Sequence, residues 1–257
     1  MNRSILLSFD VEEFDIPLEF GHSVDASTQM EIGKKGLDAI QPILSDVSTT
    51  LFTTANFADH FSTEIKQLSA KHEIASHTYY HGSFEINDLL KSRLKLEEII
   101  GKPVTGLRMP RMKVIDIPSV IDAGYQYDSS INPTWIPGKY NNLHLSKTQY
   151  YDQGMRRIPA SVSPNLRIPL FWLSFKNMPY PLFKSLCIQT LRKDGYICLY
   201  FHPWEFTPIN DFKLPIYTRR WCGQRLTDRL LQLIADLKTE GDFIPMNQLS
   251  INLASSI

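Results

Sequence analysis

The sequence is poor in cysteine. Cys187, Cys198 and Cys222 are its only three, an odd number without Cys-x-x-Cys spacing, which excludes a disulfide framework or a four-thiolate zinc site and fits reduced, mostly buried thiols. It lacks an excess of either charge: Lys+Arg and Asp+Glu each total 27 in 257 residues, so no net field steers it toward nucleic acid or an anionic surface. No apolar run approaches the roughly 20 residues that span a bilayer. Met1-Asn2-Arg3-Ser4 passes directly into an apolar strand, without the long apolar stretch and small-residue cleavage site of a secretory leader. There is no internal repeat and no low-complexity tract. The expectation is a cytoplasmic protein with no nucleic-acid partner.

A 43% hydrophobic content over this length suffices for one large α/β domain covering 1–257. Its first ordered stretch is the apolar run Ile5-Leu6-Leu7, broken at once by Ser8-Phe9-Asp10-Val11-Glu12-Glu13. A run too short for a helix and ended by carboxylates reads as a buried parallel strand that delivers acids to its C-terminal edge, where α/β barrels keep their chemistry. Strands are expected at 49–56, 72–75, 104–107, 125–127, 156–160, 196–201 and 243–245. Helices are expected at 34–44, 58–70, 85–100, 118–123, 181–193 and 226–237, giving the strand–helix alternation of a parallel sheet. The pattern loosens over 132–178, where Pro133, Pro137, Pro159, Pro164 and Pro169 interrupt any long element. Such a segment reads either as a substrate-binding excursion or as β-hairpins. Its apolar cluster of Trp135, Leu170, Phe171, Trp172, Leu173 and Phe175 fits contact with a lipid surface or ordinary packing.

Several polar residues fall at strand ends. Asp10 and Glu12 alternate onto one side of the first strand, and Glu13 onto the other; Glu13 and Asp15 read as a solvated acidic loop. His77 and His81 are four apart and on a helix would project from one side, near enough to reach one ion, although alone they would equally suit a turn with two exposed histidines. Two histidines and one carboxylate, with a position left to water, form a recurrent catalytic zinc set. Arg108 at a strand end also suits a surface charge; beside Asp10 it would hold that carboxylate ionised and oriented. His202 follows an apolar strand and precedes Pro203, a setting that also suits a buried structural histidine, and Asp128 also suits a turn cap.

Taken together, Ser8-Phe9-Asp10-Val11-Glu12, Ser76-His77-Thr78-Tyr79-Tyr80-His81, Arg108-Met109-Pro110-Arg111, Tyr127-Asp128-Ser129-Ser130 and Tyr200-Phe201-His202-Pro203-Trp204-Glu205 resemble, in order and spacing, the motifs of the polysaccharide deacetylases, the NodB-homology domain. The resemblance spans Leu6 to Glu205. It implies an irregular (β/α)7-type barrel and metal-dependent removal of an N-acetyl group from an amino sugar. By it, Asp10 is the general base, Arg108 orients that base, and His77 and His81 are metal ligands. His202 is the acid that protonates the leaving amine, with Asp128 as its partner, and the backbone near Arg111 helps hold the oxyanion.

Two departures stand out. Most members have Asp-Asp where this chain has Asp10-Val11, so Glu12 resembles the substitute ligand; Arg111 replaces an aromatic or small residue and brings a positive charge toward the substrate. The implied cofactor is a divalent metal, zinc by preference. Trp204, with Trp135 and Trp172, is a sugar-stacking candidate. The branch with these Asp-Val-Glu and His-Pro-Trp-Glu blocks is similar to deacetylases of exopolysaccharide and O-antigen synthesis. That implies an N-acetylated bacterial surface glycan or its precursor, and the expected place inside the cell makes that precursor a nucleotide sugar or, by preference, a lipid-linked saccharide at the inner membrane face. Competing readings are a deformylase or other C–N amidohydrolase on the same scaffold, and a glycan-binding protein that has lost turnover.

Overall fold

The computed structural model describes residues 3–250. Its strands among the described residues are β1 (Ser4–Val11), β2 (Thr50–Thr53), β3 (Glu73–Ser76), β4 (Gly106–Leu107), β5 (Tyr127–Asp128), β6 (Trp135–Ile136), β7 (Tyr140–Asn141), β8 (Tyr150–Asp152), β9 (Met155–Arg157), β10 (Tyr196–Phe201) and β11 (Asp242–Phe243). One curled sheet runs β10-β1-β2-β3-β4-β5-β9-β8, and β6 and β7 form a separate hairpin. All pairings in the large sheet are parallel except β8 with β9. β1 is the spine: β10 pairs with it from Ser4 to Phe9, β2 takes its upper half at Ser8–Val11, and β11 pairs at Ser4 and Ile5 below β2.

The sheet curls into an irregular barrel that its ladder does not close. Between β9 and β10 the seam is stitched by Ser161, whose backbone N–H donates to the Cys198 carbonyl at 2.9 Å and whose Oγ accepts from the Cys198 N–H at 2.8 Å. The expected α/β barrel is thus the observed one.

Period-2 alternation in β1 divides two environments. Ile5, Leu7, Phe9 and Val11 face the helices in the main core, whereas Leu6 joins Phe52, Ala75, Tyr127 and Cys198 inside the barrel. The same inward parity carries Ser8, Asp10 and then Glu12 up the barrel axis. An apolar floor thereby ends in carboxylates at the upper mouth.

The helices are α1 (Ala26–Ala39), α2 (Gln41–Asp46), α3 (Ala55–His60), α4 (Ser62–Leu68), α5 (Asp88–Ile100), α6 (Ile117–Asp122), α7 (Trp172–Asn177), α8 (Tyr180–Asp194), α9 (Ile216–Arg219) and α10 (Gln224–Leu237). Two differ from the sequence expectation. The helix expected at 34–44 begins earlier, because the Asp25 side chain accepts from the Thr28 N–H at 2.9 Å and caps α1; the chain then restarts as α2 at Gln41-Pro42. The helix expected at 58–70 breaks at Phe61, where ψ is 43°.

α1 lies close over the barrel mouth at two glycines. A Cβ on Gly33 would stand 2.6 Å from the Glu12 carbonyl oxygen, and one on Gly36 would stand 2.4 to 2.5 Å from the backbone of Pro203 and Trp204.

The 132–178 segment contains the β6–β7 hairpin, the β8–β9 pair and α7. Leu170 and Phe175 belong to the core and Phe171 packs on Tyr200, while Trp135 is 59% exposed. Most of the apolar cluster is therefore packing. No helix among the described residues is long and apolar enough to cross a membrane.

Candidate metal centre

Glu12 follows β1, and His77 and His81 follow β3; all three are buried, and one ligand atom from each lies within 4.8 Å of the others. The histidines share a side without a helix between them. Thr78 takes φ +64°, its N–H donates to Ser76 Oγ at 3.1 Å, and this tight turn stacks the two imidazoles at 5.5 Å.

Each ring is oriented from behind. His77 Nδ1 is 2.7 Å from the Arg108 carbonyl oxygen, which can only accept, so Nδ1 carries the proton and Nε2 presents a lone pair. His81 Nδ1 is 2.7 Å from Asp15 Oδ1. Both Nε2 atoms lie 3.1 Å from the same oxygen, Glu12 Oε2. That oxygen is buried and has no aligned hydrogen bond, while Glu12 Oε1 accepts from Trp204 Nε1–H at 3.1 Å. A carboxylate oxygen and an imidazole lone pair aimed at one point repel unless a cation or proton lies between them. With orientation fixed by outer hydrogen bonds, the donor set fits a divalent metal.

Without a metal the cluster is held by a proton. Burial opposes ionisation of Glu12, but the His81 charge and the neighbouring imidazoles outweigh it and keep the carboxyl well below its usual range. Burial likewise opposes a charge on His81, yet Glu12 and the Asp15 hydrogen bond push its pKa up to about 9.

Asp15 is a site residue that sequence reasoning missed. The solvated acidic loop expected for Glu13 and Asp15 is absent: the 3-10 turn Ile16–Phe20, with Pro17 in its first turn, folds the chain inward and leaves them 7% and 3% exposed. Glu13 accepts from Thr54 Oγ1 at 2.8 Å and Asn56 Nδ2 at 2.5 Å. Asp15 joins His81 to Arg111, whose Nη2 is 2.9 Å from Asp15 Oδ2. Arg111 also donates to Glu19 Oε1 at 2.6 Å and to the His81 carbonyl at 3.0 Å. Its guanidinium borders the cavity but braces the His81 loop.

Asp10 and His202 extend from the neighbouring strands β1 and β10. Fully buried Arg108 donates to Asp10 Oδ1 at 2.6 Å and Ser8 Oγ at 3.0 Å, and stacks 4.0 Å over the Phe52 ring. Asp10 Oδ2 faces His202 Nε2 across 3.9 Å. The His202 ring stacks on Trp204 at 5.0 Å and meets the edge of Trp172 at 5.1 Å. Its pKa is raised: burial opposes the charge, but the Glu205 hydrogen bond and the surrounding carboxylates outweigh burial.

The expected Asp128–His202 pair does not form. Asp128 stands opposite Arg157 in the β5–β9 register, and Arg157 Nε lies 2.9 Å from its Oδ2; Ser130 Oγ donates to its other oxygen. His202 Nδ1 is met instead by Glu205 Oε1 at 2.9 Å, from the turn immediately following.

Asp10, Glu12, His77, His81, Tyr200 and His202 line a cavity of about 150 Å3 walled by Trp172, Trp204, Asn132, Tyr140 and Lys139. Trp204 is 1% exposed and uses its N–H on Glu12, so it offers the cavity only an edge rather than an open stacking face. A larger depression of about 550 Å3, bounded by Tyr79, Tyr80, Lys91 and Lys95, lies against α5 and includes none of these site residues.

No protein-family model matches this chain, and no curated protein matches its sequence. Solved structures do match. A candidate polysaccharide deacetylase from Mycobacterium smegmatis aligns over 95% of this chain and 87% of its own, at 17% identity and a TM-score of 0.62. Another from Pseudomonas aeruginosa PAO1 aligns over 93% and 86%, at 14% identity and 0.61. Puue allantoinase aligns over 95% and 87%, at 15% identity and 0.58. At these identities the common property is the fold, the (β/α) barrel of the NodB type.

Proposed function

We propose that this chain, built on the barrel of the polysaccharide deacetylases, hydrolyses the N-acetyl amide of an amino sugar in a bacterial surface glycan or its lipid-linked precursor. The observation that carries the reading is the convergence of two oriented imidazoles on one unsatisfied carboxylate oxygen, Glu12 Oε2, beside a facing carboxylate and histidine. A divalent cation held by Glu12, His77 and His81, zinc on this donor set, would polarise the amide carbonyl and acidify a water.

The chain's own residues then divide the proton work. Asp10, held in place by Arg108 at 2.6 Å, takes a proton from the water whose oxygen bonds to the acetyl carbon. His202 gives its Nε2 proton to the nitrogen as the C–N bond breaks and its electron pair stays on that nitrogen. Acetate and a free amine result. We assign the Arg111 backbone amide, in the Pro110–Met112 turn at the cavity, to the carbonyl oxygen.

The reading extends to a substrate met inside the cell at the inner membrane face. The free thiols Cys187, Cys198 and Cys222 suit a reducing compartment, and exposed Trp135 beside the cavity hairpin suits contact with a lipid-linked saccharide.

The test is acetate release from N-acetylated chitooligosaccharide, lipid-linked precursor and mature polymer by the zinc-loaded protein. Asp10→Asn should retain the metal and lose roughly a hundred- to ten-thousand-fold in turnover; joint loss of metal and activity moves Asp10 into the ligand set. Turnover of allantoin without any acetylated glycan would replace this reading with that of another C–N hydrolase. Glycan binding without turnover would make it a lectin-like barrel.

A further inference from the structure

We propose that Glu205 and Lys176 are the positioning unit that aims His202 Nε2 at the leaving nitrogen, in the role expected of Asp128; the proposal rests on the acid role assigned to His202 above. Glu205 sits in the 3-10 turn Pro203–Phe206, directly beyond β10. Its Oε1 accepts both from the His202 backbone N–H at 2.8 Å and from His202 Nδ1 at 2.9 Å. Two bonds to one oxygen, one from the main chain and one from the ring, fix the imidazole against its own backbone. Nδ1 must carry a proton to meet a carboxylate, so Nε2 is the atom turned toward Asp10 and the cavity.

A wholly buried carboxylate needs a counter-charge. Lys176 Nζ supplies it at 2.8 Å from Glu205 Oε2, and both side chains are fully buried. The ammonium's other contacts are the Thr218 carbonyl at 2.8 Å and Cys222 Sγ at 3.2 Å. It also lies 5.0 Å from the Trp172 ring centre and 5.6 Å from that of Trp204, the two indoles that enclose His202. Lys176 comes from α7, within the Pro-interrupted segment. The array therefore runs Lys176, Glu205, His202 and ends at the cavity. A pair this deep gains little over an apolar isostere for stability alone, whereas each Glu205 oxygen here serves one residue: Oε2 the Lys176 cation, Oε1 the main chain and ring of His202.

The leaving group separates positioning from propping. An amine must be protonated as it departs; 4-nitrophenolate need not be. Glu205→Gln alone strands a buried ammonium, so the informative variant is Lys176→Met/Glu205→Gln, which removes both charges and keeps the side-chain volumes. In zinc-loaded protein this double variant should hydrolyse 4-nitrophenyl acetate within about threefold of wild type, while kcat on N-acetylchitopentaose falls roughly a hundredfold with KM unchanged. Glu205→Asp, which keeps the charge pair but withdraws the carboxylate from Nδ1, should give the same selective loss and serves if the double variant does not fold.

Equal losses on ester and amide overturn the proposal, as does no loss on either. A second readout does not depend on turnover. The downfield imidazole N–H proton of His202, identified by its disappearance in His202→Gln, should move in the double variant and in Glu205→Asp; an unmoved signal also overturns the proposal. Wild-type protein that hydrolyses neither probe sinks the deacetylase reading, and the imidazole signal then decides the orientation of His202 separately.

Discussion

Zinc and a proton should compete for one position in this site. His81 is pushed up to about 9 because Glu12 and Asp15 outweigh the opposing effect of burial, so at pH 7 only about one ring in a hundred is neutral. Freeing Nε2 for a metal at that pH costs on the order of 3 kcal/mol, two pH units at about 1.4 kcal/mol each. The apparent zinc affinity should therefore rise at least about tenfold per pH unit from 6 to 8, with the His81 share of that rise ending above about pH 9. Chelator competition at stepped pH reads the slope, and calorimetry in buffers of different ionisation enthalpy should show at least one proton released per zinc at pH 7. Asp15→Leu supplies the internal control. It removes a group that raises the His81 pKa and also the hydrogen bond that orients the ring, the second typically worth ten- to a hundredfold in affinity. The wild type should lead by that factor near pH 9 and by less at pH 7. Affinity independent of pH between 6 and 8, or two parallel curves, would refute the assignment of the proton to His81. The metal-free protein should also lose stability on the alkaline side. A raised histidine pKa stabilises the fold fully below about 6.5 and ceases to do so as pH passes through 9.

Two further outcomes follow from packing and burial. Gly36→Ala should destabilise by about 2 kcal/mol, read from the denaturation midpoint, because its Cβ meets the Pro203 and Trp204 backbone at 2.4 to 2.5 Å; a gain, as at an open helix position, would show that α1 does not rest on that turn. His72 is held down to about 4, chiefly by burial and then by the Lys71 charge, so its contribution is present above 6.5 and lost as pH falls from 6.5 toward 4. His72→Gln should flatten the melting-temperature decline over that window, and an unchanged acid limb would count against it.

The spine of the fold was legible because β10 is an uninterrupted apolar run and β1 a short apolar run ending in a carboxylate, both buried along nearly their whole length. The placement of Asp10 and Glu12 on one side followed from alternation alone, whereas Arg108 beside Asp10 came from the motif resemblance. Asp15 was illegible because no period of 2 or 3.6 extends into a 3-10 turn, and an acid after a strand looks solvated until the turn folds it under His81. The partner of His202 was misread for a related reason. The motif pointed to Asp128, but register gives Asp128 to Arg157, while the local i to i+3 contact supplies Glu205. Lys176 gave no signal, since a lysine on a six-residue helix reads as surface until its cation is traced to a buried carboxylate.

The β1–β10 ladder has a bearing on how such a protein diversifies. Asp10 and His202 each directly follow a residue of the paired rung Phe9↔Phe201, so their spacing is set by main-chain geometry that loop insertions cannot stretch. The hairpin bearing Trp135 and Lys139 hangs from a separate two-stranded unit outside that ladder. Exchange of this hairpin would change one wall of the cavity while leaving the spacing of Asp10 and His202 as it is.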